Sequence, residues 1–152
     1  MEASEIGTVL TSAVEEILET MCFTPVLSSA EGDPPPDVEA SGPKLCAEVQ
    51  FHGSPSGGFR VGVPKKLAQA VGAAFLGQEE TEVSDSQAEE VVCELTNMIC
   101  GSVLSRLESK TIFKITHPEL IPVTGKIGFD AAAADRWFDL GDGALNVSLI
   151  FQ

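Results

Sequence analysis

Two long stretches of the chain place apolar residues at the spacing of a helix buried along one side. The other apolar residues fall in short runs punctuated by Gly, Pro and Asp. From Ser4 to Cys22 the repeating positions are Val9, Ala13, Val14, Ile17 and Met21, which share a side at about 100° per residue. Phe23-Thr24-Pro25 ends this helix, because the residue before a proline is pushed out of the helical region. From Ser84 to Glu108 the stripe is Ala88, Val92, Leu95, Ile99 and Val103. Ser84 with Gln87 three residues on is a capping-box start. A shorter helix, Lys65 to Leu76, is marked by its ends: Pro64 at its first position, where a missing N–H is harmless, and Gly77 just beyond.

Between the helices, Lys44 to Phe51 and Phe59 to Val63 predict two strands joined by the turn Ser54 to Gly58. After the long helix come Thr111 to Thr116, an interruption at His117-Pro118, extended structure from Ile121 to Phe129, and the connection Asp130 to Asp135. Arg136 to Leu140 and Ala144 to Phe151 then form a hairpin around Gly141-Asp142-Gly143. Ser28 to Pro43 holds three consecutive prolines and scattered acids, and predicts a flexible surface loop.

The same order, helix then hairpin, occurs twice. Setting Ala13–Phe23 on Val91–Gly101, an offset of 78 residues, places Glu16 on Glu94, Glu19 on Asn97, Met21 on Ile99 and Cys22 on Cys100. The expected architecture is one α+β domain over residues 1–152. It holds two helix-plus-antiparallel-hairpin units, approximately 5–77 and 84–152, related by a pseudo-twofold axis, with the long helices packed on a β-sheet.

Length and composition fit that reading: 152 residues with 43% hydrophobic content suit a single core. Charge narrows the partners. Nine Lys and Arg against 23 Asp and Glu give a net charge of −14, which disfavours phosphate backbones and anionic membrane surfaces. No apolar run reaches about 18 residues, and MEASEIGTVL has no basic region leading into an apolar one, so neither a spanning helix nor a signal peptide is expected. A cytoplasmic protein follows as the expectation. Cys22, Cys46, Cys93 and Cys100 form no C-x-x-C pair and are expected as reduced thiols. His52 and His117 stand far apart, so no metal site is expected.

The outer side of the long helix carries the candidate chemistry. Glu90, Glu94, Asn97, Gly101 and Leu104 line up there, roughly 150° from the apolar stripe, and Glu94 and Asn97 are neighbours three residues apart. A solvated face with an incidental Asn is one reading. The other starts from Gly101, which costs roughly 1 kcal/mol against Ala mid-helix and points to close approach by another backbone or a partner. An Asn side chain offers a carbonyl and an amide, so it can hold one water by two hydrogen bonds without a change of charge. That positioning matters where the leaving group is already activated, as in an acyl phosphate. Glu94 would repel phosphate, but it can pair with a Lys or Arg of a visiting protein. With no tyrosine, no G-x-S-x-G and no phosphate-cradling glycine loop, a conventional active site is hard to assemble.

The run EEVVCELTNMICGSVL, with Glu-x-x-Asn followed by Gly101, resembles the signature of the CheX/CheC group of chemotaxis phosphatases. So do the duplicated order, the Glu-Thr-Met ending of the first helix and the stretch ITHPELIPVTG. The single complete copy is closer to CheX. The resemblance implies a phosphatase acting on the aspartyl phosphate of a CheY-type response regulator. Asn97 would orient the attacking water, Glu94 would dock to a basic residue of the partner, and Glu90, Gly101 and Leu104 would lie in the partner contact. It also implies no cofactor on this chain, Mg²⁺ on the partner, and a homodimer formed through sheet edges. A non-catalytic adaptor that binds response regulators, related to flagellar switch proteins, is the alternative. Glu90 departs from the family pattern by adding a negative charge beside the site.

Overall fold

The hairpin at the centre of the molecule is built from strands with opposite duties on their two faces. β2 (Lys44–His52) and β3 (Gly57–Pro64) pair antiparallel from Lys44↔Pro64 to Phe51↔Gly57. Ala47, Val49, Phe51, Phe59, Val61 and Val63 alternate into the main core, as a period of two requires. The computed structural model describes residues 2–39 and 42–152, apart from the side chains of Asp37 and Glu39. Ala40 and Ser41, which belong to the loop expected over Ser28–Pro43, lie outside the described residues.

In chain order the elements are α1 (Ala3–Met21), β1 (Ser28–Glu31), the short α2 (Pro36–Glu39), β2, β3, α3 (Lys65–Leu76), a 3₁₀ turn at Glu80–Glu82, α4 (Asp85–Leu107), β4 (Lys114–Ile115), β5 (Glu119–Leu120), β6 (Ala134–Asp139) and β7 (Ala144–Phe151). All strands join one antiparallel sheet in the order β1-β6-β7-β3-β2-β4, with β5 also on β2. That order is a palindrome when the halves are exchanged. The hairpin β2-β3 answers to β6-β7, and β1, which follows α1, answers to β4, which follows α4. Each short strand pairs with the hairpin of the opposite half. The two helices obey the same exchange, since Leu10, Ala13, Val14, Leu18 and Cys22 and their partners at the 78-residue offset, Ala88, Val91, Val92, Thr96 and Cys100, are all buried.

The apolar faces of α1, α3 and α4 cover one side of the sheet and close the main core. In α1 the buried line is Ile6, Leu10, Ala13, Val14 and Leu18; Met21, expected inside, is 39% exposed because the helix ends there. The chain leaves α1 through Phe23, a non-glycine in the left-handed region (φ 51), and the Thr24 N–H donates to the Leu18 carbonyl (3.0 Å).

Two expectations are corrected. Ser28–Glu31 is not loop: it is an edge strand on β6, and Arg136 holds it through Glu31 (3.2 Å) and the Ser29 hydroxyl (3.1 Å). An edge strand pairs on one side only, so its acids stay in water. Ile121–Phe129 is not a strand. Pro122 lacks an N–H and Gly125 turns left-handed (φ 73). The segment instead crosses the sheet face away from the helices, where Ile127 joins Val38, Cys46, Trp137 and Ala144 in a second, smaller apolar cluster. Two glycines of β3 make room for it. A Cβ on Gly62 would stand 2.1 Å from Ile127, and one on Gly58 2.9 Å from Phe129. Between them, the Arg60 guanidinium sits 4.1 Å over the Phe129 ring.

Candidate functional site

Helix α4 starts as its sequence dictates: Ser84 caps it, accepting from the Gln87 N–H (3.1 Å), while the Gln87 side chain accepts from the Ser84 N–H (3.0 Å). The whole expected stripe, Ala88, Val92, Leu95, Ile99 and Val103, is buried. Because α4 packs against α1 and α3 as well as β2 and β3, its buried arc is wider than one stripe. Val91, Thr96, Cys100 and Leu104 join it, with the Thr96 hydroxyl satisfied by the Val92 carbonyl (2.7 Å).

Leu104, expected at the partner contact, is therefore corrected. It is 2% exposed and belongs to the main core, where no visiting protein reaches it. The periodicity set it at the margin of the outer face, and the flanking helices move that margin inward. What stays outward is a narrower strip. Glu90 and Glu94 are exposed, and Asn97 and Gly101 are half-exposed. None of the Glu90, Glu94 and Asn97 side chains makes a hydrogen bond or ion pair within the described residues. The amide of Asn97 thus keeps a donor and an acceptor free for water, one turn from a free carboxylate.

Gly101 borders the other side of this strip. A Cβ there would meet only Ile115 Cδ1, at 4.0 Å, which is ordinary contact. The fold itself places no demand for glycine at this position. Ile115 belongs to β4, so the edge of the sheet flanks the site, a neighbour that the sequence reading did not identify.

Cys93 lies on the same helix face, and its thiol is pushed above its ordinary value by burial, with the Glu89 and Glu90 carboxylates adding to it. It remains protonated at neutral pH, which removes it as a nucleophile. Cys22 and Cys46, pushed up by burial to about 11, and Cys100, pushed up to about 12, are equally inert; all four cysteines are free. Among the described residues no three or more His, Cys, Asp or Glu side chains gather to hold a metal ion, and no helix is long and apolar enough to cross a membrane.

The equivalent strip on α1 is occupied differently. Glu16, which answers to Glu94, is ion-paired with Arg106 of α4. Glu19 stands where α4 has Asn97. At the position of Gly101 the helix has already ended, and Phe23 projects with 79% of its surface exposed. Only one of the two copies carries the amide, the free acid and the glycine together.

Comparison with known proteins gives the same family. No curated protein matches the chain. Among solved structures, the chemotaxis protein CheX of Vibrio vulnificus superposes with a TM-score of 0.75 at 16% identity, covering 100% of this chain and 99% of that one. CheX of Desulfovibrio desulfuricans gives 0.70 at 22% identity, covering 97% and 99%. A third, from a CheX-CheY-BeF3-Mg complex of Borrelia burgdorferi, gives 0.71 at 22% identity, covering 95% and 96%. At these identities the likeness is one of fold. The sequence model of the chemotaxis phosphatase CheX family matches residues 45–127, more than half of the chain and with the α4 strip inside the match, and on that match the chain belongs to the chemotaxis phosphatase CheX family.

Proposed function

We propose that the chain hydrolyses the aspartyl phosphate of a CheY-type receiver domain in the cytoplasm, with α4 as its working surface. Asn97 holds the attacking water through its carbonyl and amide. The water oxygen bonds to phosphorus, the bond from phosphorus to the aspartyl oxygen breaks, and inorganic phosphate and a free aspartate leave. The partner's own Mg²⁺ balances the charge that develops, and this chain contributes position rather than a covalent intermediate. Glu94 pairs with a basic residue of the receiver and sets the register of Asn97. Glu90 and Gly101 border the same contact. Two copies of the chain meet through exposed sheet edges, β1 or β4 with β5, which carry unpaired backbone groups.

The observation that carries this reading is the free Asn97 amide beside the free Glu94 carboxylate on an outward helix face, in a family of chemotaxis phosphatases. The test is the decay of a phosphorylated receiver. Asn97→Ala should leave the melting temperature unchanged and slow the accelerated decay by at least about 100-fold, the usual scale for loss of a positioning group. Equal decay with the Ala variant and the wild type would reject Asn97. Binding of the receiver with no acceleration by the wild type would replace catalysis by the adaptor reading.

A further inference from the structure

The sheet face away from the helices carries a row of side chains that the reading of α4 does not use. Cys46, Gly62, Asn146 and Trp137 stand side by side on β2, β3, β7 and β6 in paired register. Asn146 is 1% exposed, and its amide is fixed, because Nδ2 donates to Asp135 Oδ1 (2.6 Å) and to the Arg136 carbonyl (3.2 Å). Both partners are acceptors, so the atom left over is the oxygen. Asn146 Oδ1 accepts no hydrogen bond among the described residues, although it is buried. An acceptor in that state calls for a donor that the chain does not supply.

The surroundings describe what would bring that donor. A pocket of about 510 Å³ has Asn146 and Trp137 in its lining, a volume usual for small-ligand sites. Val38 and Ile127, from the smaller apolar cluster, add to its wall. Strand order separates its charges. Asp33, just past β1, and Asp135 of β6 lie toward one end; Lys44 of β2 and Lys126, next to the Ile127 that packs on Gly62 of β3, lie toward the other. Neither lysine has an ion pair among the described residues. The lining is thus neutral in sum within a chain of net charge −14, with its cations gathered at one end.

We propose that this pocket binds a nucleoside monophosphate. The base lies against Trp137 with its amino group donating to Asn146 Oδ1, and the phosphate reaches Lys44 and Lys126. An elongated molecule with a flat apolar body, a donor at one end and an anion at the other answers each feature of the lining. Inorganic phosphate would leave the amide oxygen unpaired, and a neutral apolar molecule would answer neither the oxygen nor the lysines. The pocket lies across the sheet from α4, so it is separate from the Asn97 strip and stands whether or not that reading does.

The experiment is equilibrium dialysis of the full chain against adenosine and guanosine 5′-monophosphate, each beside the analogue that lacks its amino group. Fluorescence of Trp137, the chain's single tryptophan, locates the bound molecule. At least one nucleotide should bind with a Kd of about 1 mM or tighter and change the emission over the same concentration range. Its analogue should bind about tenfold more weakly, because Asn146 Oδ1 then stays unpaired. Lys126 is exposed, so Lys126→Glu should leave the melting temperature unchanged and weaken the nucleotide about tenfold, while the free nucleoside binds as it does to wild type. Binding of neither nucleotide overturns the proposal. So does binding that leaves Trp137 emission unmoved, equal affinity for the analogue, or displacement of the nucleotide by an equal concentration of inorganic phosphate.

Discussion

Helix α1 ends at Met21 and turns outward through Phe23, whereas α4, matched to it at an offset of 78 residues, runs through the equivalent Gly101 and on to Leu107. The glycine therefore sits where the helix continues, and a phenylalanine takes the left-handed turn where the other copy stops. Local propensity would assign these residues the other way round. In α4 the glycine leaves the helix surface without a side chain; in α1 the helix has ended at the equivalent position, and Glu16 is taken up by Arg106. Two halves with one topology thus differ on this strip: one leaves its acid free, and the other pairs it with Arg106.

The comparison can be broken at several points. The largest effect should come from Leu104, which only the longer helix possesses. Leu104→Ala should cost about 2–5 kcal/mol in urea unfolding, with KM for the receiver unchanged in the folded fraction. A raised KM without a loss of stability would return Leu104 to the contact surface. Next comes the Asn97 position against its counterpart: Asn97→Ala should remove at least about 100-fold of the rate, while Glu19→Ala should leave it within about twofold. Comparable losses from both would mean that α1 also works on the substrate.

Smaller effects sharpen the contrast between the two acids. Glu94→Ala should raise KM about tenfold with little change in stability, the usual scale for a charge that pairs across an interface. Glu16→Ala should leave KM alone and lower stability by about 0.2–1 kcal/mol, the worth of an exposed ion pair. Gly101→Ala is the finest probe. With no more than an ordinary contact to Ile115 at 4.0 Å, the methyl group should stabilise the helix by up to about 1 kcal/mol. It should raise KM severalfold, because it stands on the docking face. Stability and affinity moving in opposite directions would show that the glycine serves the partner; a gain in stability with unchanged KM would leave it unexplained.

The outward strip of Glu90, Glu94, Asn97 and Gly101 was legible before the fold because the pattern that marks it is local. Ser84 and Gln87 set the phase of α4, and an amide, an acid and a glycine on one strip depart from the usual mixture of Glu, Lys and Arg. The depth of Leu104 was not legible, because it depends on α1 and α3 flanking α4, which the period of one helix does not encode. Nor was the strand at Ser28–Glu31, whose partner Arg136 lies 105 residues away from Glu31. The extended run from Ile121 to Phe129 was seen as extended, but pattern alone does not separate a paired strand from a segment laid across a sheet. Its resting place depends on Gly58 and Gly62, where missing side chains in one strand admit Ile127 and Phe129 from another part of the chain.

The palindromic sheet has a consequence for how the two halves depend on one another. β1 belongs to the first half by sequence and to the second by hydrogen bonding, and β4 and β5 reverse that relation. A chain severed between Gln78 and Val83 would leave each fragment holding a strand that completes its counterpart, so neither could satisfy its own sheet until the two re-mated.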